Sequence, residues 1–172
     1  GVIPNPEWKS ATFNSDAWRL GNTYHTAIGQ YGFQVTPLQA ARAIAAIANN
    51  GKLLEPRLIL ENESPRYSLI PAASSSFQVV REGMRDAVTE GTASGLNIPQ
   101  VSVAAKTGTA ELGSKKQFVN SWIVGFFPFD APRYAFAVIM EKGPSENTVG
   151  ALFVMRELLE WMSVYTPEYL AH

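Results

Sequence analysis

Cysteine is absent from all 172 residues, which removes thiolate metal sites, iron–sulfur clusters and a cysteine nucleophile. Histidine is scarce: only His25 and the terminal His172 occur, so a Ser–His–Asp triad or a two-histidine metal centre would have to rest on His25 alone, which reads first as a structural or surface histidine. An excess of either charge is missing as well, with 14 Lys and Arg against 15 Asp and Glu. Without a basic surface or stripe, a phosphate backbone finds no counter-charge, so nucleic acid is excluded as a partner. No apolar run approaches the roughly 20 residues that cross a bilayer, and no internal repeat or low-complexity tract occurs. What is present is a chain 46% hydrophobic and 17% charged. That composition excludes a disordered tail or a collagen-like repeat, and this length buries roughly 70% of the unfolded surface around one core.

Pro4, Pro6, Asn14, Gly21, Asn22 and Gly29 punctuate residues 1–32 densely enough to break both periodicities, which predicts an irregular segment. Thr36-Pro37-Leu38-Gln39 then reads as a helix start, with Thr36 as N-cap, Pro37 in the first turn and Gln39 closing a capping box. The helix continues through Ile44 and Ile47 to Asn49-Asn50-Gly51, where Gly51 is the expected left-handed cap. Its small apolar residues fall on nearly all faces, so it is expected to be buried. Leu53 to Leu60 reads as a weak strand broken at Pro56, and residues 61–71 as a polar connection. A second helix starts at Ser75 or Ser76, carries Phe77, Val80, Met84, Ala87 and Val88 at helical spacing, and ends at Gly91. The small-residue loop Thr92-Ala93-Ser94-Gly95 leads to strands at Val101 to Lys106, Phe118 to Phe127 and Arg133 to Glu141. Pro128 to Pro132 makes a hairpin-like connection. A last helix spans about Thr148 to Met162, with Ala151, Leu152, Met155, Leu158, Leu159 and Met162 inward. Consecutive strands between helices predict an α+β fold, an antiparallel sheet covered by helices.

No His, Asp and Glu cluster has metal-ligand spacing, so neither a metal nor a cofactor is expected. Lys106-Thr107 lacks the preceding glycine of a phosphate-binding loop and follows Ala104-Ala105 at a strand end. Asn62-Glu63-Ser64 matches a glycosylation sequon by composition alone. The remaining constellation is Lys106-Thr107-Gly108-Thr109. Alternation puts Thr107 and Thr109 on one side of a strand and Lys106 on the other. Gly108 strips the side chain between them, so a ligand backbone can lie along the strand edge. Two hydroxyls with a nearby ammonium suit a carboxylate, and a strand N–H suits a developing oxyanion. The plainer alternative is a solvated strand end with an ordinary surface lysine. Core packing is the first reading of Trp122 and Phe126, with a cleft wall as the alternative, and Gln30 is a candidate brace behind the site.

Lys-Thr-Gly is the third element of the penicilloyl-serine set, whose other members are Ser-x-x-Lys and Ser-x-Asn. The stretch Val101 to Leu112, the segment Ser121-Trp122-Ile123-Val124-Gly125-Phe126-Phe127-Pro128 and the closing helix resemble the C-terminal half of a penicillin-binding transpeptidase domain. Gly1-Val2-Ile3-Pro4-Asn5-Pro6-Glu7-Trp8-Lys9, Ala27-Ile28-Gly29-Gln30 and Val35-Thr36-Pro37-Leu38-Gln39 resemble the elongation-type class B penicillin-binding proteins (the penicillin-binding protein 2 type). The resemblance covers essentially the whole chain in the family's order. It departs at one point: no lysine here has a serine three residues before it, and Ser145-Glu146-Asn147 follows Lys106, whereas the family's Ser-x-Asn precedes it.

The resemblance therefore implies that residues 1–172 are the C-terminal portion of one transpeptidase domain. The sheet, covered by helices on both faces as in serine β-lactamases, would be incomplete in this chain, with apolar surface exposed. The parent would be a serine D,D-transpeptidase that cross-links peptidoglycan stem peptides and binds β-lactams, while this chain alone would lack the nucleophile. It implies that Lys106 supplies positive charge and helps move protons, that Thr107 and Thr109 hold the ligand carboxylate, with Gly108 between them, and that the Thr109 N–H is an oxyanion donor. Implied partners are stem peptides, β-lactam antibiotics, other cell-elongation proteins and the upstream half of the same domain. The implied location is the bacterial periplasm, with the parent anchored in the inner membrane by an N-terminal helix. A β-lactamase or β-lactam sensor domain and a non-catalytic scaffold of the elongation machinery are the alternatives.

Overall fold

The computed structural model describes residues 1–59, 64–113, 115–146 and 149–170. They form two compact units, Gly1–Gln39 and Ala40–His172.

The first unit is not the irregular segment that its Pro and Gly content predicts. It holds helices α1 (Pro6–Thr12) and α2 (Leu20–Ala27). Pro6 sits in the first turn of α1, where its missing N–H costs nothing, and the Asn5 side chain caps the helix by accepting the Trp8 N–H at 2.7 Å. In α2 the Asn22 side chain reaches back to accept the Arg19 N–H at 2.9 Å. Val2 and Gln34 exchange both backbone hydrogen bonds, at 2.7 and 3.0 Å. Lys9 is buried, 2% exposed, and its ammonium donates to the Ala17 carbonyl and to Asn22 Oδ1 while pairing with Asp16 at 2.9 Å.

Helix α3 (Pro37–Ala48) starts as expected: Gln39 N–H donates to Thr36 Oγ1 at 3.2 Å, and Thr36 N–H to Gln39 Oε1 at 3.0 Å. Its cap differs by one residue. Asn50 takes the left-handed position (φ 61°), with Asn50 N–H to Ile47 and Gly51 N–H to Ala46 closing a Schellman turn, and Gly51 follows at φ 94°. Burial is confined to Ile44, Ala46 and Ala48 rather than all faces.

Strand β1 (Lys52–Leu54) stops short of Pro56 and pairs antiparallel with β2 (Tyr67–Leu69), which lies inside the segment expected to be a plain connection. Residues 60–63, and with them most of the sequon, lie outside the described residues. Helix α4 spans Ser74–Thr89.

The main sheet is β3 (Ala104–Leu112), β4 (Phe118–Phe127) and β5 (Tyr134–Pro144), in the order β3-β4-β5 and antiparallel throughout. Val101 makes only a bridge to Ile98, so β3 starts three residues later than its alternation suggests. The register explains this: Ala104 faces Phe126, and two residues on, just past the end of β4, comes Pro128, which has no N–H to extend a ladder. Ser102 instead accepts the Phe129 N–H at its carbonyl (2.8 Å) and at its hydroxyl (3.0 Å). β5 runs past Glu141 because Lys142 (φ 54°) donates its N–H to Asn120 Oδ1, carrying the pairing across an irregularity to Phe118↔Pro144.

The sheet is packed on both faces. Ala104 and Phe126 meet Ile44, Ala48 and Met84 from α3 and α4. On the opposite face Ala105 and Ile123 meet Ala151, Met155 and Leu159 of helix α5 (Ala151–Tyr165), together with Val88 and Leu96. The buried stripe of α5 is Ala151, Met155 and Leu159, with Leu152 and Met162 half-buried beside it. Leu158, expected inward, sits at the stripe's edge and is 45% exposed. Residues 147 and 148, including Asn147 of the Ser-x-Asn sequence, and His172 lie outside the described residues.

Candidate active site

Lys106-Thr107-Gly108-Thr109 lies inside β3 rather than at a strand end. The register pairs Lys106 with Val124, Thr107 with Ile123, Gly108 with Trp122 and Thr109 with Ser121. Thr107 and Thr109 therefore share one face with Ile123 and Ser121, while Lys106 and Gly108 share the other with Val124 and Trp122. Among the described residues β3 pairs with β4 alone, so alternate N–H and C=O groups along its far edge point outward.

Burial runs steeply along this strand. Ala104 and Ala105 are fully enclosed, whereas Lys106 and Thr109 are exposed and Thr107 and Gly108 are half-buried. The enclosed end fixes the backbone, and the next four residues present their chemistry from it. Lys106 Nζ folds back to donate to the Thr107 carbonyl at 2.6 Å, keeping the ammonium against the strand. A Cβ built on Gly108 would meet only the Trp122 Cβ, at 3.4 Å, so the cleared space lies beside the indole. Trp122 is half-buried on β4, while Phe126 is fully buried and packs in the core cluster with Ile44, Ala48, Met84 and Ala104. A hollow of about 290 Å³ opens on the threonine face, lined by Thr109, Ser121, Met140, Ser145 and Gly150 among others. Gln30, half-buried in the Gly1–Gln39 unit, donates its backbone N–H to the His25 carbonyl at 2.8 Å.

Two polar residues escape the sequence reading. Thr92, at the start of the loop after α4, places Oγ1 at 2.8 Å from Thr107 Oγ1. Ser121, opposite Thr109, accepts the Ala151 N–H that opens α5, at 3.0 Å. Neither stands in the Lys-Thr-Gly motif, and only the strand register and the path of the 92–103 loop bring them here. Hydroxyls on one face, an ammonium on the other and an open edge with N–H donors between are groups that can pair with an anion.

The penicillin binding protein transpeptidase domain family matches residues 3–159. The peptidoglycan D,D-transpeptidase MrdA of Acinetobacter baumannii is 34% identical over 166 residues, covering 83% of this chain and 25% of the relative. Among solved structures, the complex between penicillin-binding protein PBP2 and MreC from Helicobacter pylori is 29% identical with a TM-score of 0.78, covering 96% of this chain and 31% of the other. The imipenem acyl-enzyme of penicillin-binding protein A from Mycobacterium tuberculosis is 29% identical with a TM-score of 0.67, covering 79% and 32%. The chain thus spans about a quarter to a third of the length of these relatives.

Proposed function

The chain belongs to the penicillin-binding protein transpeptidase family, and from that premise we propose that it is the C-terminal part of a serine D,D-transpeptidase domain whose nucleophile lies in upstream sequence. The observation that carries this reading is Lys106-Thr107-Gly108-Thr109 on an open strand edge, with both threonines on one face and the glycine leaving the other face clear beside Trp122. In the reaction a serine hydroxyl attacks the D-Ala-D-Ala carbonyl of a stem peptide, the peptide bond breaks, and D-Ala leaves with the proton on its amine. The amine of a second stem then attacks the ester, forming the cross-link and returning the proton to the serine. Lys106 supplies positive charge beside the proton transfers. Thr107 and Thr109 hold the terminal carboxylate, and the Thr109 N–H is one oxyanion donor. A β-lactam enters as a mimic of D-Ala-D-Ala and stops at the acyl-enzyme.

The resemblance to PBP2-type relatives, one of them solved with MreC, supports a place among cell-elongation proteins on the periplasmic side, the parent held in the membrane by a segment outside these residues. Intact-mass analysis of the full-length protein after benzylpenicillin tests the assignment. One penicilloyl adduct on a serine upstream of Gly1 is the expected result. An adduct on a serine within residues 1–172 overturns the assignment of the nucleophile, and no adduct points to a scaffold. Gly108→Val sharpens the test. The β3–β4 pair has room for a Cβ at 3.4 Å from Trp122, so the fold persists, while the branched side chain crowds the ligand's edge. Acylation is expected to slow at least about a hundredfold, the scale of a lost oxyanion contact; a normal rate removes the edge-approach argument.

A further inference from the structure

We propose that Thr92 is a positioning residue for this site: its hydroxyl donates to Thr107 Oγ1 and thereby turns the Thr107 proton toward the carboxylate of the ligand. This rests on the reading of Thr107 as a carboxylate holder. Thr92 Oγ1 and Thr107 Oγ1 stand 2.8 Å apart, across 15 residues of sequence. Each hydroxyl carries one proton and two lone pairs, so a bond between them has a direction. If Thr107 donates to Thr92, it meets an anion with lone pairs and repels it. If Thr92 donates, the Thr107 proton is left for the anion, and the bond behind it polarises that O–H further. An anion in the site therefore selects Thr92 as donor, and a residue without a hydroxyl at 92 leaves Thr107 to rotate freely.

Thr92 is well held for this task. Gly91 before it packs so closely on the preceding helical turn that an added Cβ would lie 2.8 Å from the Ala87 Cα. Ala93 after it is fully buried and donates its N–H to the Ala87 carbonyl at 2.8 Å. The loop thus ties the end of α4 to the middle of β3 through one pair of side-chain oxygens. The carboxylate bond is the charged, strong member of this chain, and losing the group that aims it is expected to cost about tenfold in rate.

The test compares acylation rates of the full-length protein and its Thr92→Val and Thr92→Ser variants with benzylpenicillin and with its methyl ester, which lacks the anion. The acid-to-ester rate ratio within one variant does not depend on how much of that variant is folded. Thr92→Val is expected to lower this ratio by about tenfold, Thr92→Ser to restore it, and Thr107→Val combined with Thr92→Val to add little to Thr107→Val alone. An unchanged ratio in Thr92→Val overturns the inference, whether the two rates fall together, as a purely structural role requires, or not at all. If the wild type forms no adduct, the transpeptidase reading falls first and takes this one with it; a wild type that acylates beside an unchanged ratio sinks this inference alone.

Discussion

In Gly1–Gln39 the large side chain that is wholly enclosed is Lys9, whereas in Ala40–His172 the largest wholly enclosed side chains among the described residues include Phe126, Leu96, Ile123, Met155 and Leu159. The first unit is organised around an ammonium with three protons and three acceptors: the Ala17 carbonyl at 2.6 Å, Asn22 Oδ1 at 2.9 Å and Asp16 Oδ2 at 2.9 Å. Aromatic edges close around it, with Trp8 set against Phe13 and Tyr31, Trp18 against Tyr31, and Lys9 itself 6.0 Å from the Tyr31 ring centre. The second unit follows the opposite rule, two apolar clusters on either face of a sheet. A satisfied ammonium dictates direction, because every acceptor must sit at its own angle. An apolar core dictates volume, and it accepts many side chains provided that nothing enters the backbone's own space.

That contrast predicts different weak points. In the sheet the most damaging small change is at Gly125, where an added Cβ would strike the Ala104 carbonyl and come within 2.5 Å of the Phe136 ring. Gly125→Val is expected to destabilise by about 3 kcal/mol, the upper part of the overpacking range. Thermal denaturation of the full-length protein should show it as a melting point lowered by several degrees, and an unchanged curve would mean that the strands can part there. In the first unit the corresponding change removes a charge rather than adding a methyl group. Lys9→Met preserves the bulk of the side chain but strands three acceptors, with an expected cost of about 2 kcal/mol to the local structure. Hydrogen exchange at the α1 and α2 amides measures it. If protection there survives, apolar contact rather than the ammonium holds the unit, and the contrast fails.

The same contrast explains what could be read in advance. Elements built on apolar periodicity were legible: α4 lies within two residues of its expected start, β4 at its expected bounds, and α5 along most of its length, because spacing alone reports which face is buried. The Thr36 capping box was legible because its chemistry is local. In the candidate site the Lys106 to Thr109 motif was legible and so was its alternation, which the β3–β4 register bears out. The first unit was not. Its helices are short and bury no apolar stripe, α1 enclosing Lys9 alone and α2 no residue, and their order comes from a lysine whose acceptors lie 7 to 13 residues away, a pattern that Pro and Gly punctuation conceals. Thr92 was hidden for a similar reason, since its partner is 15 residues distant and reached through a loop. Polar contacts between separate segments leave no period in sequence.

The smallest expected effect separates the two kinds of interior by pH. The Asp16 carboxyl is held below the usual aspartate range, chiefly by the hydrogen bond from Lys9, against partial desolvation, and with further help from the Arg19 and Lys9 charges and the Ala17 backbone. A folded-state value lowered below the unfolded one means that Asp16 binds fewer protons when the unit is folded. Its contribution to stability is therefore complete above the ordinary aspartate value, about pH 4, and is lost as pH falls through the lowered folded value. Because Asp16 is 37% exposed, solvent screens much of that contribution. Acidification should loosen the first unit in that window, and Asp16→Asn should make it weaker at neutral pH and flatter toward acid. The Trp18 indole N–H, bonded to Thr23 at 2.8 Å within the same unit, is a convenient NMR reporter. Its wild-type resonance should shift as pH falls below about 4, and the shift should shrink in Asp16→Asn. An identical profile in both proteins would show that the ammonium is held by Ala17 and Asn22 alone, which would narrow the polar interior from three acceptors to two.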